Sequence, residues 1–302
     1  MKLLVTGATG FIGSALCSRL LERGHTLTLL TGHAPPDAST PAKTWRHWMP
    51  GTSGDWEASL DGADGVINLA GEPIVARRWT ESQKHKIRSS RIDATRSIVE
   101  AVAKAKRKPA FLLNGSAVGY YGPHGEETVT EETPSGTDFL SSVCLAWEEE
   151  AKKAEPIGLR VLRLRTGIVL GPGGGALAKM VLPFKFFAGG PLGSGAQWMP
   201  WIHLEDEIDL ILHLIENPQA AGPVNATAPN PAKMKDFCQT LGKVMGRPSW
   251  APVPSFALHL VLGEMADMLL TGQRAVPIAA QKLGYQFRYA NLSDALQACM
   301  PL

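Results

Sequence analysis

Three glycines at a spacing of three, in Gly7-Ala8-Thr9-Gly10-Phe11-Ile12-Gly13, constrain this chain more than any other feature. They follow a short apolar run, Leu3-Leu4-Val5, and open an amphipathic stretch over 12–23. Strand, glycine turn and helix in that order place an anion at a helix N-terminus, where main-chain N–H groups and the helix dipole both favour negative charge. Gly7 lets the chain turn sharply after the strand, Gly10 lets main chain approach a phosphate, and Gly13 lets the helix pack closely on the sheet. The pattern implies a nucleotide diphosphate held by the main chain of Gly7, Thr9, Gly10, Phe11, Ile12 and Gly13.

Apolar runs then alternate with helical periodicity, the signature of a parallel sheet covered by helices on both faces. Strands are predicted at 2–6, 26–30, 65–69, 110–113 and 160–170, with a further strand at 224–227. Helices are predicted from 12 to Gly24, from a Thr80 cap to about 105, and over 138–154, 176–187 and 206–216. The Pro-rich stretch from Gly32 to about Asp55 reads as loop. Past residue 172, Gly173-Gly174-Gly175 and the glycine-rich 189–195 bracket an apolar helix, and the chain from Lys233 onward reads as mostly helical. The expected fold is an α/β Rossmann, doubly wound parallel sheet with a smaller, mostly helical substrate lobe. The Rossmann domain takes 1–172 plus about 200–230, and the lobe takes about 173–199 plus 231–302.

A chain of 302 residues, 44% hydrophobic and 19% charged, has the composition of a globular protein with a sizeable core. Its net charge of +2 offers no electrostatic case for nucleic acid or an anionic membrane. Lys104-Ala105-Lys106-Arg107-Lys108 reads as a solvated helix end. Cys17, Cys144, Cys238 and Cys299 lie far apart, which argues against a zinc site or a disulfide framework and suits a reducing compartment. The apolar stretch 256–270 contains His259, Glu264 and Asp267 and is too short to span a bilayer. With no signal-like segment at the start, the cytoplasm is the expected location. Self-association is left open.

At the end of the second strand, Thr31-Gly32-His33 carries no acid. A carboxylate there would bond the ribose hydroxyls of NAD and repel the 2′-phosphate of NADP, so NADP is favoured over NAD. His33 offers a donor, and Lys43 or Arg46 offers a charge from the following segment.

These residues, together with Asn68-Leu69-Ala70-Gly71-Glu72-Pro73-Ile74, Arg78-Trp79, Ser89-Ser90-Arg91-Ile92 and Ser116-Ala117-Val118-Gly119-Tyr120-Tyr121-Gly122, carry a wider likeness. So do Arg165-Thr166-Gly167-Ile168-Val169-Leu170-Gly171, Gly189-Gly190-Pro191-Leu192-Gly193-Ser194-Gly195 and Pro200-Trp201-Ile202-His203. Over nearly its whole length the chain resembles the extended short-chain dehydrogenase/reductase superfamily and, within it, the NADP-binding "epimerase family" group. The resemblance implies that Leu69, Ala70 and Gly71 lie along the adenosine and its ribose, that Arg91 faces the cofactor, and that Val169 ends a strand near the nicotinamide. It aligns Thr31-Gly32 with a pair that is commonly Ser/Thr-Arg, where the arginine would hold the 2′-phosphate.

The superfamily's usual machinery is a Ser or Thr with a Tyr and a Lys four residues apart on a helix, which puts phenol and ammonium on one face. Here Cys144 falls at the tyrosine position and Glu148 at the lysine position. Cys144 could exchange a proton or serve as a small packing residue, and a carboxylate one turn away would raise its pKa. Ser116 keeps the Ser/Thr position, beside the cofactor, where it could bond a carbonyl. Tyr120 and Tyr121 are the nearest phenols, and Tyr121 either acts as acid or bonds locally. His203 and Glu72 are further acid/base candidates, each with a structural alternative. Trp79, Trp198 and Trp201 belong to a cleft or to the core. The expected activity is that of an NADP-dependent oxidoreductase or nucleotide-sugar-epimerase-like enzyme on a small substrate. The alternative is a non-catalytic NADP(H) sensor lacking the Tyr/Lys pair.

Overall fold

The computed structural model describes residues 1–32 and 39–300. The chain runs β1 (Lys2–Thr6), α1 (Phe11–Glu22), β2 (Thr26–Thr31), β3 (Lys43–His47), β4 (Gly65–Asn68), α2 (Glu81–Lys104) and β5 (Phe111–Ala117). It continues through β6 (Thr128–Val129), α3 (Phe139–Lys152), β7 (Arg160–Thr166), β8 (Ile168–Leu170), α4 (Gly175–Lys185), β9 (Trp198–Met199), β10 (Trp201–His203) and α5 (Leu204–Glu216). The last elements are β11 (Gly222–Ala226), β12 (Ala232–Lys233), α6 (Met234–Met245), α7 (Ser255–Leu262), α8 (Met265–Leu270), β13 (Arg274–Ala275), α9 (Ile278–Lys282) and α10 (Leu292–Cys299).

Seven strands form one parallel sheet in the order β11-β7-β5-β4-β1-β2-β3. Central strands such as β4 are buried along their whole length because helices cover both faces, which is why they read as unbroken apolar runs. Strand order reverses between β1 and β4, and in an open α/β sheet that switch point is where the carboxyl edge parts to admit a ligand. A buried polar network sits at this edge. Thr6 Oγ1 donates to Asn68 Oδ1 at 2.6 Å, and Asn68 Nδ2 donates to Asn114 Oδ1 at 2.7 Å and Thr95 Oγ1 at 3.0 Å. Caps fix the flanking helices: Thr80 accepts from the Gln83 N–H at the start of α2, and Asp138 accepts from the Ser141 N–H at the start of α3.

Two local expectations change. The stretch read as loop after Gly32 contains β3, paired with β2 from Leu27↔Lys43 to Thr31↔His47. An edge strand with partly exposed, polar residues has no apolar run to announce it. The single strand expected at 160–170 breaks at Gly167. The Gly167 N–H stays with Ala226, while the Ile168 N–H turns to the Pro200 carbonyl at 2.7 Å, so β8 leaves the main sheet to pair with β10.

A second apolar core, including Leu177, Val181, Phe184, Trp201, Phe237, Leu241 and Leu296, joins α4, β10, α6 and α10. The chain then returns to the main sheet: Ala279, Ala280, Leu283, Tyr285 and Phe287 pack into the core that also holds Leu162 and Ile208. No helix among the described residues is long and apolar enough to cross a membrane.

α5 carries Glu207 into this core, fully buried, with Oε1 accepting from Thr166 Oγ1 at 2.8 Å and Oε2 without a partner among the described residues. Burial pushes its carboxyl up to about 8, against the single opposing bond from Thr166. The folded state therefore holds this proton over a range where the unfolded chain has released it, and the group costs stability progressively as pH rises from about 4.5 towards 8. Glu207→Gln is expected to flatten that part of the urea-unfolding stability profile. An unchanged profile between pH 5 and pH 8 would contradict the assignment.

Candidate functional site

Gly7 follows β1 in the left-handed region, at φ +70, and an added Cβ would fall 2.6 Å from the Leu69 carbonyl oxygen. Gly13 packs so tightly on the turn that a Cβ would collide with the Gly7 carbonyl. That contact is with the turn itself rather than with the sheet. Gly10 is looser: it donates to Gly7 O at 3.0 Å, and its own Cβ would stand 3.2 Å from the same oxygen. Gly10 also caps α1 without a side-chain acceptor, and the first turn holds no acid. The amides of Phe11, Ile12 and Gly13 thus keep their donors, and the helix dipole is uncompensated, which suits an anion. Thr9 is exposed on the turn, and the Phe11 ring lies against the main chain of Gly171, Gly174 and Gly175. That contact joins the cradle to the start of α4.

Thr31 ends β2, buried, and its carbonyl accepts from the Trp48 N–H at 2.9 Å. Gly32 follows, while His33 lies outside the described residues. Leu69, Ala70 and Gly71 run from the end of β4 past the switch point. The Ala70 N–H donates to Thr6 Oγ1 at 3.2 Å, and Gly71 lies against the Arg91 guanidinium. Arg91 Nη1 donates to the Glu72 carbonyl at 3.0 Å and to Ile87 O at 2.9 Å, and its guanidinium stands 5.2 Å from the Trp147 ring. Burial pulls its pKa below the ordinary value. It holds the loop through Glu72 in place. Val169 is buried in β8, with its carbonyl oxygen close to Gly175.

The residues expected from the sequence to be catalytic are tied to one another. Ser116 Oγ donates to Glu148 Oε1 at 2.7 Å. Arg165, the register partner of Ser116 on β7, grips the same carboxylate twice, Nε to Oε1 at 2.8 Å and Nη2 to Oε2 at 2.9 Å. Arg165 Nη1 also donates to the Tyr121 hydroxyl at 3.0 Å, and that hydroxyl donates to Asn225 Oδ1 at 2.6 Å. Burial alone would lower Arg165, but the bonds to Glu148 and Tyr121 outweigh it and hold its pKa above the ordinary value. Burial pushes the Tyr121 phenol up to about 12 despite the guanidinium beside it. Cys144 is buried, and burial, with Glu148 adding to it, pushes its thiol up to about 12 against the pull of Arg91. In this arrangement Ser116 and Tyr121 have committed their protons internally, and Cys144 packs as a neutral thiol.

The other candidates are equally specific. His203 is buried as the cap of α5, accepting from the Glu205 N–H at 3.1 Å and lying 3.9 Å from the Tyr289 ring. Burial lowers its pKa, so it sits neutral. Glu72 accepts from Gln83 Nε2 at 3.2 Å. Trp201 is core, Trp79 packs edge-on to Phe139, and Trp198 lies between Lys233 and Arg274. Arg165 and Asn225 escaped the sequence reading as site residues. The available signal was Arg163 and Arg165 alternating with leucines in a strand expected within the parallel sheet.

The chain is similar to known proteins over nearly its whole length. The pattern of the NAD dependent epimerase/dehydratase family matches residues 3–226, and a domain of unknown function, DUF1731, matches 253–299. An Arabidopsis thaliana chloroplastic epimerase family protein, the SDR39U1 homolog, is 44% identical over 99% of this chain and 87% of its own length. The Bacillus subtilis epimerase family protein YfhF is 43% identical over 98% of this chain and 97% of its own. The crystal structure of human epimerase family protein SDR39U1 with NADPH superposes at a TM-score of 0.89 with 35% identity, covering 99% of both chains.

Two predictions follow from the packing. Glu148→Gln leaves the Arg165 guanidinium buried without its counter-charge and is expected to cost about 3–5 kcal/mol in urea unfolding; a loss below about 1 kcal/mol would show the pair to be dispensable. Gly13→Ala is expected to lower stability by about 1–3 kcal/mol through overpacking. Gly10→Ala should cost clearly less, and equal losses from the two would contradict the geometry.

Proposed function

The chain belongs to the NAD dependent epimerase/dehydratase family, and on that basis we propose that it binds NADP(H) along the carboxyl edge of its sheet as an oxidoreductase acting on a small carbonyl or hydroxyl compound. The observation that carries the reading is the uncapped, acid-free start of α1, packed main chain to main chain against the end of β1. The human relative's NADPH and the absence of an acid at Thr31-Gly32 both support the phosphorylated nucleotide. When bound, the nicotinamide would supply the hydride. Four buried, unpaired thiols suit a reducing compartment, and the cytoplasm is the proposed one.

This chain's own residues then have divided roles. The α1 amides take the pyrophosphate. Arg91 holds the main chain through Gly71 and Glu72 against the adenosine side. Glu148 and Arg165 position Ser116 and Tyr121 at the end of β5 and just beyond. Tyr120 differs from its neighbour: it is only partly buried, the Arg165 guanidinium lies 3.5 Å from its ring centroid, and its hydroxyl enters no hydrogen bond among the described residues. It is the phenol of the pair with a proton to give. A second reading, an NADP(H) sensor without turnover, is favoured by the closed Ser116–Glu148–Arg165–Tyr121–Asn225 network, which replaces a proton relay with a structural lock.

Titration of nicotinamide fluorescence with NADPH, followed by absorbance assays across a carbonyl panel, separates the two. Saturable binding with oxidation by at least one compound is expected, reduced at least tenfold by Tyr120→Phe and unaffected by Cys144→Ala, the tenfold standing for about 1.4 kcal/mol of barrier. Tight binding with no oxidation by any compound would overturn the oxidoreductase reading in favour of the sensor.

A further inference from the structure

We propose that Arg46, on the strand beside β2, supplies the cation that grips the nucleotide's 2′-phosphate. The proposal rests on the NADP(H) reading above. The pair at the end of β2 is Thr31-Gly32, so neither residue there brings a charge. β3 runs parallel to β2 with Leu30 opposite Arg46 and Thr31 opposite His47, which sets Arg46 one step below the carboxyl edge. The strand ends are held together there: the Trp48 N–H bonds the Thr31 carbonyl, and Gly32 lies against the Trp48 carbonyl.

The face agrees with the register. Arg46 shares its side of the sheet with its partner Leu30 and, at a period of two, with Trp48. Leu30 and Trp48 belong to the core cluster against which Ala70 packs. Ala70 lies in the loop assigned to the adenosine, so Arg46 and that loop flank the same face. Lys43, the other cation of this segment, is excluded by the same register. It pairs with Leu27, three residues and roughly 10 Å back towards the amino edge. Arg46 is exposed, and no described residue bonds it or pairs with it. A guanidinium so placed can meet a phosphate with two parallel N–H bonds.

The test is calorimetric titration of NADPH and NADH into the wild-type protein, Arg46→Ala and Lys43→Ala. Arg46→Ala is expected to weaken NADPH roughly ten- to a hundredfold, the span of a lost bond to a charged group, and to leave NADH unchanged. Lys43→Ala should move neither. A ratio of NADPH to NADH affinity that Arg46→Ala leaves at the wild-type value would overturn the assignment. Failure of the wild-type protein to bind either nucleotide would instead overturn the nucleotide site itself, and this inference with it.

Discussion

The site depends on a main-chain contact at the top of β1. Gly7 turns with a positive φ beneath the Leu69 carbonyl, and Gly13 rests on the Gly7 carbonyl with no room for a Cβ. Helix α1 can therefore start immediately beyond the sheet edge, pointing its free amides at the switch point between β1 and β4. The geometry asks for no charged side chain at the turn, because the anion-binding capacity comes from unsatisfied peptide groups and their aligned dipoles. Everything downstream of the turn, from the Phe11 contact with the 171–175 main chain to the loop through Ala70, is placed relative to it.

The carboxyl edge also holds an unusual concentration of buried polar groups. Thr6, Asn68, Thr95 and Asn114 satisfy one another across three strands and α2, and Trp147 Nε1 donates into the same set at Thr95. Next to them, Glu148 and Arg165 pay the desolvation of two charges with two short parallel bonds and share their remaining capacity with Ser116 and Tyr121. A pair this buried is weak evidence of added stability but strong evidence of fixed geometry, since removing Glu148 strands the Arg165 guanidinium. The Tyr/Lys machinery of the wider superfamily needs a mobile proton at this place. Where the sequence leads one to expect that lysine, the chain carries Glu148, and its partner comes from β7.

Much of the fold was legible in the residues. β1, α1 and the start of α2 fall where apolar runs, glycines and the Thr80 cap put them, because local chemistry and tertiary packing agree there. β3 was hidden because a polar edge strand is made by its neighbour rather than by its own pattern. The break at Gly167 depends on the carbonyl of Pro200, more than thirty residues away, which no local reading supplies. In the site, the tight glycine turn after β1 was readable from spacing. The Ser116–Glu148–Arg165–Tyr121 network was not, because it assembles side chains from β5, α3, β7 and the turn after β5. Cys144 and His203 illustrate the same limit: a chemically versatile residue type carries no mark of whether it will be buried as packing or as a helix cap.

The central claim is that main-chain amides at the start of α1 hold the nucleotide diphosphate. Its most direct test is the backbone amide resonances of Phe11, Ile12 and Gly13 in isotope-labelled protein titrated with NADPH. Saturable shifts at these three, larger than those along the rest of α1, are predicted. Their staying in place at saturating NADPH would contradict the account.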